Sequence, residues 1–115
     1  MNPDRFIANR NIERYLSGKP LDTWYLSTLS HDVVPRLIEL FEGGNIRETD
    51  VHGELGRQLW ERLEYRLLEP EVTDWRSWHF SRLKARNELL ERKDMLQTFK
   101  DYVPKEIYSL IPLGT

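Results

Sequence analysis

Residues 73–86, TDWRSWHFSRLKAR, gather the residue types from which binding sites are made: Trp75 and Trp78, then His79, then arginines at 76, 82 and 86. Trp78, His79 and Arg82 together could serve a small ligand, with His79 as a ligand or proton shuttle, if they converge on a concave pocket. The spacing supplies a second account. Positions 75, 78, 82, 85, 89, 92, 96, 99 and 103 step by three and four and hold Trp, Trp, Arg, Ala, Leu, Arg, Leu, Phe and Val. That is a heptad-like seam, and it predicts one long C-terminal helix over about 74–103, with Thr73 or Asp74 as its cap. On such a seam Trp75 and Trp78 are core, and Arg82 and Arg92 must snorkel or meet a carboxylate from a facing helix. An Arg stacked on Trp78 would add a cation–π attraction of about 0.5–2 kcal/mol with no ligand present. His79 lies one residue off the seam with no second titratable group at a fixed helical spacing, so its plain reading is a partly buried, hydrogen-bonded histidine.

Asp50, His52 and Glu54 form the one acid–histidine cluster of metal type. Oxygen and nitrogen donors of this kind suit a divalent ion, but a site needs three or four converging ligands, and the same residues read equally as a cap and an acidic first helical turn. No metal is therefore assigned. Glu61 and Glu64 sit one turn apart on an arginine-rich helix, where paired carboxylates serve as salt-bridge partners. The chain carries no glycine-rich phosphate loop, no Gly-x-Ser-x-Gly elbow and no His-Glu-x-x-His helix, and it has no cysteine for a thiol nucleophile or Cys-ligated zinc. No catalytic residue and no cofactor are expected.

The elements that must position these residues are helices. Pro3 suits a first helical position after Asn2 as cap, Ala8, Ile12, Tyr15 and Leu16 make a stripe, and Ser17-Gly18-Lys19-Pro20 stops it, predicting a helix over 3–16. Asp22 caps a second segment carrying Trp24, Tyr25, Leu26 and Leu29. Ser30 reads as a cap for a third, rich in Val33, Val34, Leu37, Ile38, Leu40 and Phe41, but Pro35 lies too deep for a regular first turn, so the helix either starts nearer Val33 or begins distorted. Gly43-Gly44-Asn45 ends it. Leu55, Leu59, Leu63 and Leu67 recur every fourth residue and predict a helix over 51–69, in which Gly53 and Gly56 either weaken the first turns or admit a close neighbour. Pro104 marks the end of the long seam, and Ile107, Tyr108, Leu110, Ile111 and Leu113 form an apolar tail suited to packing on the bundle. No period-two pattern, internal repeat or linker appears. The expectation is a single all-α domain over 1–115, a compact bundle of four to five helices.

At 115 residues the chain is long enough for one core without disulfides. Seventeen basic against nineteen acidic side chains leave a formal charge of −2, and residues 57–92 interleave both signs, so neither nucleic acid nor an anionic membrane is drawn by a global field. No apolar run approaches the roughly 18 residues of a membrane span, and the first residues make no signal peptide.

One resemblance rests on motifs in order. Asn2-Pro3-Asp4, Asn11-Ile12-Glu13-Arg14-Tyr15, Gly18-Lys19-Pro20-Leu21-Asp22, Tyr25-Leu26, Leu29-Ser30, Asp32-Val33-Val34-Pro35 and Leu37, followed by Trp75-Arg76-Ser77-Trp78 and Ser81-Arg82, resemble the soluble tail of a family of bacterial multi-pass membrane proteins of unknown function. The matched parts are about the first forty residues and roughly 74–90. The chain departs from the pattern at His79, where the family has Asn, and at Lys19-Pro20, where its turn is one residue shorter. The resemblance implies a domain of a larger protein whose preceding spans anchor it, with Asn2-Pro3 just after the last span and a partner that is another protein or its own membrane portion.

The leading expectation is thus a non-enzymatic, membrane-tethered interaction or regulatory module. Against it stand a small-ligand or metal-dependent domain centred on Trp78, His79, Arg82 and His52, a helical nucleic-acid-binding module using the arginines of 57–92, and a homodimer through the 75–103 seam.

Overall fold

A computed structural model describes residues 3–67 and 77–103, the side chains of 77–81 excepted. Among these residues the chain is helical, with no strand. Four helices of nine residues or more, α1 (Pro3–Leu16), α3 (Val34–Glu42), α4 (Thr49–Arg62) and α5 (Ser77–Leu90), are joined by two five-residue helices, α2 (Thr23–Ser27) and α6 (Lys93–Gln97). The all-α bundle expected from periodicity is what forms.

α1 buries Ala8, Ile12 and Tyr15. It closes as the Ser-Gly signal requires: Gly18 takes φ +114, its N–H bonds the Tyr15 carbonyl at 3.0 Å, and the Lys19 N–H reaches back to Arg14 at 3.0 Å. These are the two bonds of a Schellman cap, which only a residue at ease with positive φ completes without strain. Arg47 then fastens the end of α1 to the α3–α4 connection. Its guanidinium lies 4.0 Å over the Tyr15 ring and donates to the Tyr15 carbonyl at 2.7 Å, while the buried Tyr15 hydroxyl donates to Glu48 and accepts from the Arg47 backbone N–H. Burial, ahead of the Glu48 contact, raises the Tyr15 pKa.

Asp22 caps α2 as predicted, accepting from the Tyr25 N–H at 2.9 Å. The difficulty at Pro35 is resolved by a short 3-10 turn over His31–Val33 that hands over to α3 at Val34, so the proline falls in the first turn, where no N–H is missed. Ser30 stands at the cap position of that turn without a side-chain bond.

α4 is the central element, packed on α2, α3 and α6. Leu55, Leu59, Leu63 and Leu67 are all buried, although in an α-helix a four-residue step drifts about 40° around the axis. The drift is arrested because α4 passes at Leu63 into a π-helical turn, Leu63–Leu67, whose wider coil turns Leu67 back onto the core. Gly53 and Gly56 prove to be the seats of close neighbours. A Cβ at Gly56 would lie 2.8 Å from the Phe99 ring and 3.0 Å from Phe41, and one at Gly53 would lie 2.6 Å from the Tyr102 ring.

The seam holds at Ala85, Leu89, Leu96 and Phe99, fails at Val103, which is exposed, and is wrong in its continuity. Ala85, Leu89 and Leu96 are buried and Phe99 packs against the core, yet the single helix over 74–103 does not form: α5 ends at Leu90, the chain turns at Glu91 and Arg92, and α6 begins at Lys93. Arg92 is the cause. At φ −110, ψ 12 it leaves the helix, and its guanidinium meets Glu42 through Nε at 2.7 Å and Nη2 at 3.3 Å while Nη1 donates to the Glu88 carbonyl at 2.8 Å. A continuous helix would drive that charge into the apolar seam; the break places it on the carboxylate it needs, and that contact raises its pKa. Beyond α6, successive N–H groups at Thr98, Phe99, Lys100 and Tyr102 bond three residues back, and this tighter winding sets both aromatic rings on α4. The expected cap at 73–74, Trp75, Pro104 and the apolar tail of 107–113 lie outside the described residues.

Candidate functional site

Gln58, Arg62 and Arg66 stand at i, i+4 and i+8, one above another on the side of α4 and its π turn that faces α2. Each donates to backbone carbonyls of the segment opposite: Gln58 to Thr23 at 2.9 Å, Arg66 to Ser27 at 3.5 Å, and Arg62 through Nη2 to Leu26 and Leu29, both at 3.0 Å. The last carbonyls of a helix have no partner within it. In α2, too short to persist alone, the Leu29 and Thr28 N–H groups meet the carbonyls of Leu26 and Tyr25, and the side chains of α4 add donors to those of Thr23, Leu26 and Ser27.

Arg62 is only 2% exposed. Its Nη1 adds the Ser30 carbonyl at 3.4 Å and His31 Nδ1 at 3.2 Å. Nη1 and Nη2 thus engage both of their hydrogens, leaving Nε as the unpartnered nitrogen of this group. Burial lowers its pKa to about 10, with Arg66 pushing the same way and Asp4 opposing, and the side chain stays a cation at neutral pH. On the other side of the corner, the Asp4 carboxylate accepts from the Ser30 N–H at 2.8 Å. Ser30 is therefore held from α1 through its N–H and from α4 through its carbonyl.

A guanidinium can only donate, so His31 Nδ1 accepts and the ring proton sits on Nε2. Burial first, then the charges of Arg62, Arg82 and Arg66, push the His31 pKa down to about 4 against a small opposing effect of Asp32. The imidazole is neutral through the physiological range. It lines an open cleft of about 450 Å³ together with Arg5 and Asn9 of α1, Asp32, Pro35, Arg36 and Glu39 of the α3 side, and Lys84 of α5. Within it, Arg36 donates to Asn9 Oδ1 at 3.0 Å and to Glu39 at 3.3 Å.

The residues singled out from sequence are distributed as follows. Trp78, His79 and Arg82 lie on α5. The side chains of Trp78 and His79 are outside the described residues. Arg82 donates through Nη2 to the Arg66 carbonyl and adds to the positive field at His31, so it belongs to the His31–Arg62 surroundings. Asp50, His52 and Glu54 do not converge. The His52 ring stacks on Phe41 at 4.2 Å and meets Phe99 edge-on at 5.5 Å, Asp50 accepts from the Tyr102 hydroxyl, and Glu54 binds Arg57 and Gln58. Among the described residues no three His, Asp or Glu side chains come together as metal ligands.

His31 and Arg62 were not singled out from sequence, where His31 is absorbed into a cap and Arg62 into an interleaved surface. A signal for Arg62 exists. It stands seven residues after Leu55 and three after Leu59, an apolar register position that calls for a partner by the same argument applied to Arg82 and Arg92. Nothing in the chain order points from Arg62 to His31, 31 residues away.

Comparison with known proteins adds one finding. The model of the family described as Domain of unknown function (DUF4153) matches residues 1–40. Those residues span α1, α2, the His31 turn and most of α3, and they include both Tyr15 and the carbonyls that Arg62 holds. No curated protein and no solved structure matches the chain. Among the described residues no helix is long and apolar enough to cross a membrane.

Proposed function

We propose that the chain is a non-enzymatic helical module, tethered to a membrane by segments outside it, that acts as an interaction or regulatory surface for the protein it serves. The observation that carries this reading is the nature of the family-matched region. Several of its polar groups are committed to backbone: Asp22, Asp4, Tyr15 and the carbonyls of α2 take part in holding the chain. Its large apolar side chains are not committed. Phe6, Leu16, Trp24 and Tyr25 are exposed, Trp24 to 72%, and Phe6 lies about half a turn from the buried stripe of Ala8 and Ile12. A region that fixes its own backbone with charge-assisted bonds while presenting Trp and Tyr to its surroundings suits a contact surface better than a reaction centre. Tethering is supported by the ordered motifs of residues 2–37, which resemble those of membrane-protein tails.

The two halves of this reading separate experimentally. An antibody raised against residues 1–115 should detect the native protein in the membrane pellet of its source cells after alkaline carbonate extraction, and recovery from the soluble fraction would remove the tether. A photo-crosslinking amino acid at Trp24 should capture the membrane portion of the same protein or a constant partner. Absence of any crosslinked species above the level at an exposed polar control such as Glu13 would remove the interaction.

A further inference from the structure

We infer that the cleft between α1, the His31 turn, α3 and α5 is a binding site for a phosphate group, received by Arg5, Lys84 and the ring N–H of His31. The inference goes beyond the module reading and stands whether or not the chain is tethered.

Three cations and two carboxylates line the cleft, and they are not equivalent. Arg36 is engaged by Asn9 and Glu39, which leaves Glu39 partly neutralised. Arg5 and Lys84 make no ion pair and no hydrogen bond among the described residues. They come from α1 and α5, far apart in sequence, and are brought to one concavity of about 450 Å³. Like charges placed together at a cleft repel, and an anion between them removes that cost.

The floor strengthens the field. Three guanidinium groups, of Arg62, Arg82 and Arg66, act on His31 against the single carboxylate of Asp32. Arg62 is buried behind the ring and cannot turn away, since its terminal hydrogens are fixed on carbonyls of Leu26, Leu29 and Ser30. Because Nδ1 accepts from Arg62, the ring of His31 presents an N–H donor and no charge of its own. The donors therefore approach from α1, from α5 and from the turn between α2 and α3. A planar carboxylate is satisfied by one fork; a tetrahedral oxyanion with oxygens on every side makes use of groups arriving from three directions. Phosphate is the common group of that shape, carried free, on a soluble monoester or on a lipid headgroup.

The test is a titration of the full chain, followed by amide shifts, with inorganic phosphate against sodium chloride of matched ionic strength. Saturable shifts confined to amides near residues 5–9, 31–36 and 84 are expected. The double variant Arg5→Ala/Lys84→Ala, whose parent side chains are both exposed and whose folding is checked by circular dichroism, should bind about tenfold more weakly or worse, as removal of two charge-assisted contacts requires. Phosphatidylcholine vesicles containing phosphatidic acid distinguish the sources. Co-sedimentation abolished in the double variant assigns the phosphate to a lipid, and phosphate binding without co-sedimentation assigns it to a free or soluble phosphate. Shifts no larger than those with chloride, or equal affinity in the folded double variant, would overturn the site.

Discussion

The N-terminal half of α4 receives the rings of Phe99 and Tyr102 into the gaps left by Gly56 and Gly53, whereas its C-terminal half reaches out through Gln58 and Arg62 to the carbonyls of α2 and Ser30. One helix thus holds its neighbours in two ways. At the glycine end the contact is mainly one of volume, with one directional bond, from the Tyr102 hydroxyl to Asp50, and no dependence on acid. At the arginine end it is directional and depends on charge, because a buried guanidinium holds the short α2 and the turn after it through the carbonyls of Leu26, Leu29 and Ser30. The difference teaches where each substitution should act: added carbon atoms should break the first end, and lost hydrogen bonds or added protons the second.

The largest effect is expected at Arg62. Arg62→Ala removes packing at a residue that is 2% exposed and strands the Leu29 carbonyl, while the Leu26 and Ser30 carbonyls keep the N–H groups of Leu29 and Val33, for an expected loss of about 2–4 kcal/mol in urea unfolding. Against a total stability of about 5–15 kcal/mol that brings the domain close to its unfolding threshold. Arg62→Lys should recover little, since one ammonium cannot reproduce two Nη groups bonding in four directions. A loss below about 1 kcal/mol for Arg62→Ala would mean that water replaces the guanidinium and that the Leu29 carbonyl is not buried in the sense argued.

Gly56→Ala comes next. Alanine is favoured over glycine in a helix by about 1 kcal/mol, but here its Cβ would stand 2.8 Å from Phe99 and 3.0 Å from Phe41. Overpacking should prevail, with a net loss of about 1–3 kcal/mol. Pairing the change with Phe99→Leu should return part of it, and a simple sum of the two losses would show that the ring and the glycine are not in fact coupled.

How much of this was legible in the sequence follows from the same division. Apolar periodicity is local, so α1, the all-helical class and the seam positions Ala85, Leu89 and Leu96 are readable from spacing, whereas Gly53 and Gly56 leave a weakened turn and a close neighbour equally open until the rings of Phe99 and Tyr102 are seen. The break at Arg92 is not readable in this way: of the two outcomes open to a seam arginine, snorkelling or meeting a carboxylate, Arg92 takes the second, and the chain reaches it by bending the helix. Glu42, which supplies the carboxylate, is 50 residues away, and only the fold brings it near. The same holds for Arg62 and His31. Trp78, His79 and Arg82 are of residue types that sites use, and Arg82 adds its charge to the His31 surroundings. The cleft is lined largely by Arg, Lys and Asn side chains on three helices beside His31, residue types that draw no attention when read along the chain, whereas the side chains of Trp78 and His79 lie outside the described residues.

The arginine end should also respond to acid, and the glycine end should not. The His31 pKa falls from 6.5 unfolded to about 4 folded, so between these values the unfolded chain binds the additional proton. Stability contributed by the neutral ring is complete above pH 6.5 and is lost as pH falls toward 4. The cleft admits solvent, which screens part of the effect, and a loss of about 1–2 kcal/mol across that window is expected. Urea unfolding of the parent and of His31→Gln over this range measures it. The variant keeps an acceptor for Arg62 without a titrating ring, so its profile should be flatter by that amount, and parallel profiles would place the acid sensitivity elsewhere.

The smallest effect tests whether the glycine end is mainly a matter of volume, because Tyr102 both fills the gap at Gly53 and donates its hydroxyl to Asp50. Tyr102→Phe keeps the ring and removes the bond, and it should cost only about 0.5–1 kcal/mol, the usual net value of one partly solvated hydrogen bond. Burial, then the Asp50 contact, raises the Tyr102 pKa to about 12, so the folded chain retains a proton that the unfolded chain releases from pH 10 upward. The stability owed to this hydroxyl is therefore present below pH 10 and lost as pH rises toward 12. Tyr102→Phe should remove that alkaline decline and leave the acid limb owed to His31 untouched. If it instead weakens the fold as much as Gly56→Ala, the ring at Gly53 is held in place by Asp50 and the volume argument applies at Gly56 alone.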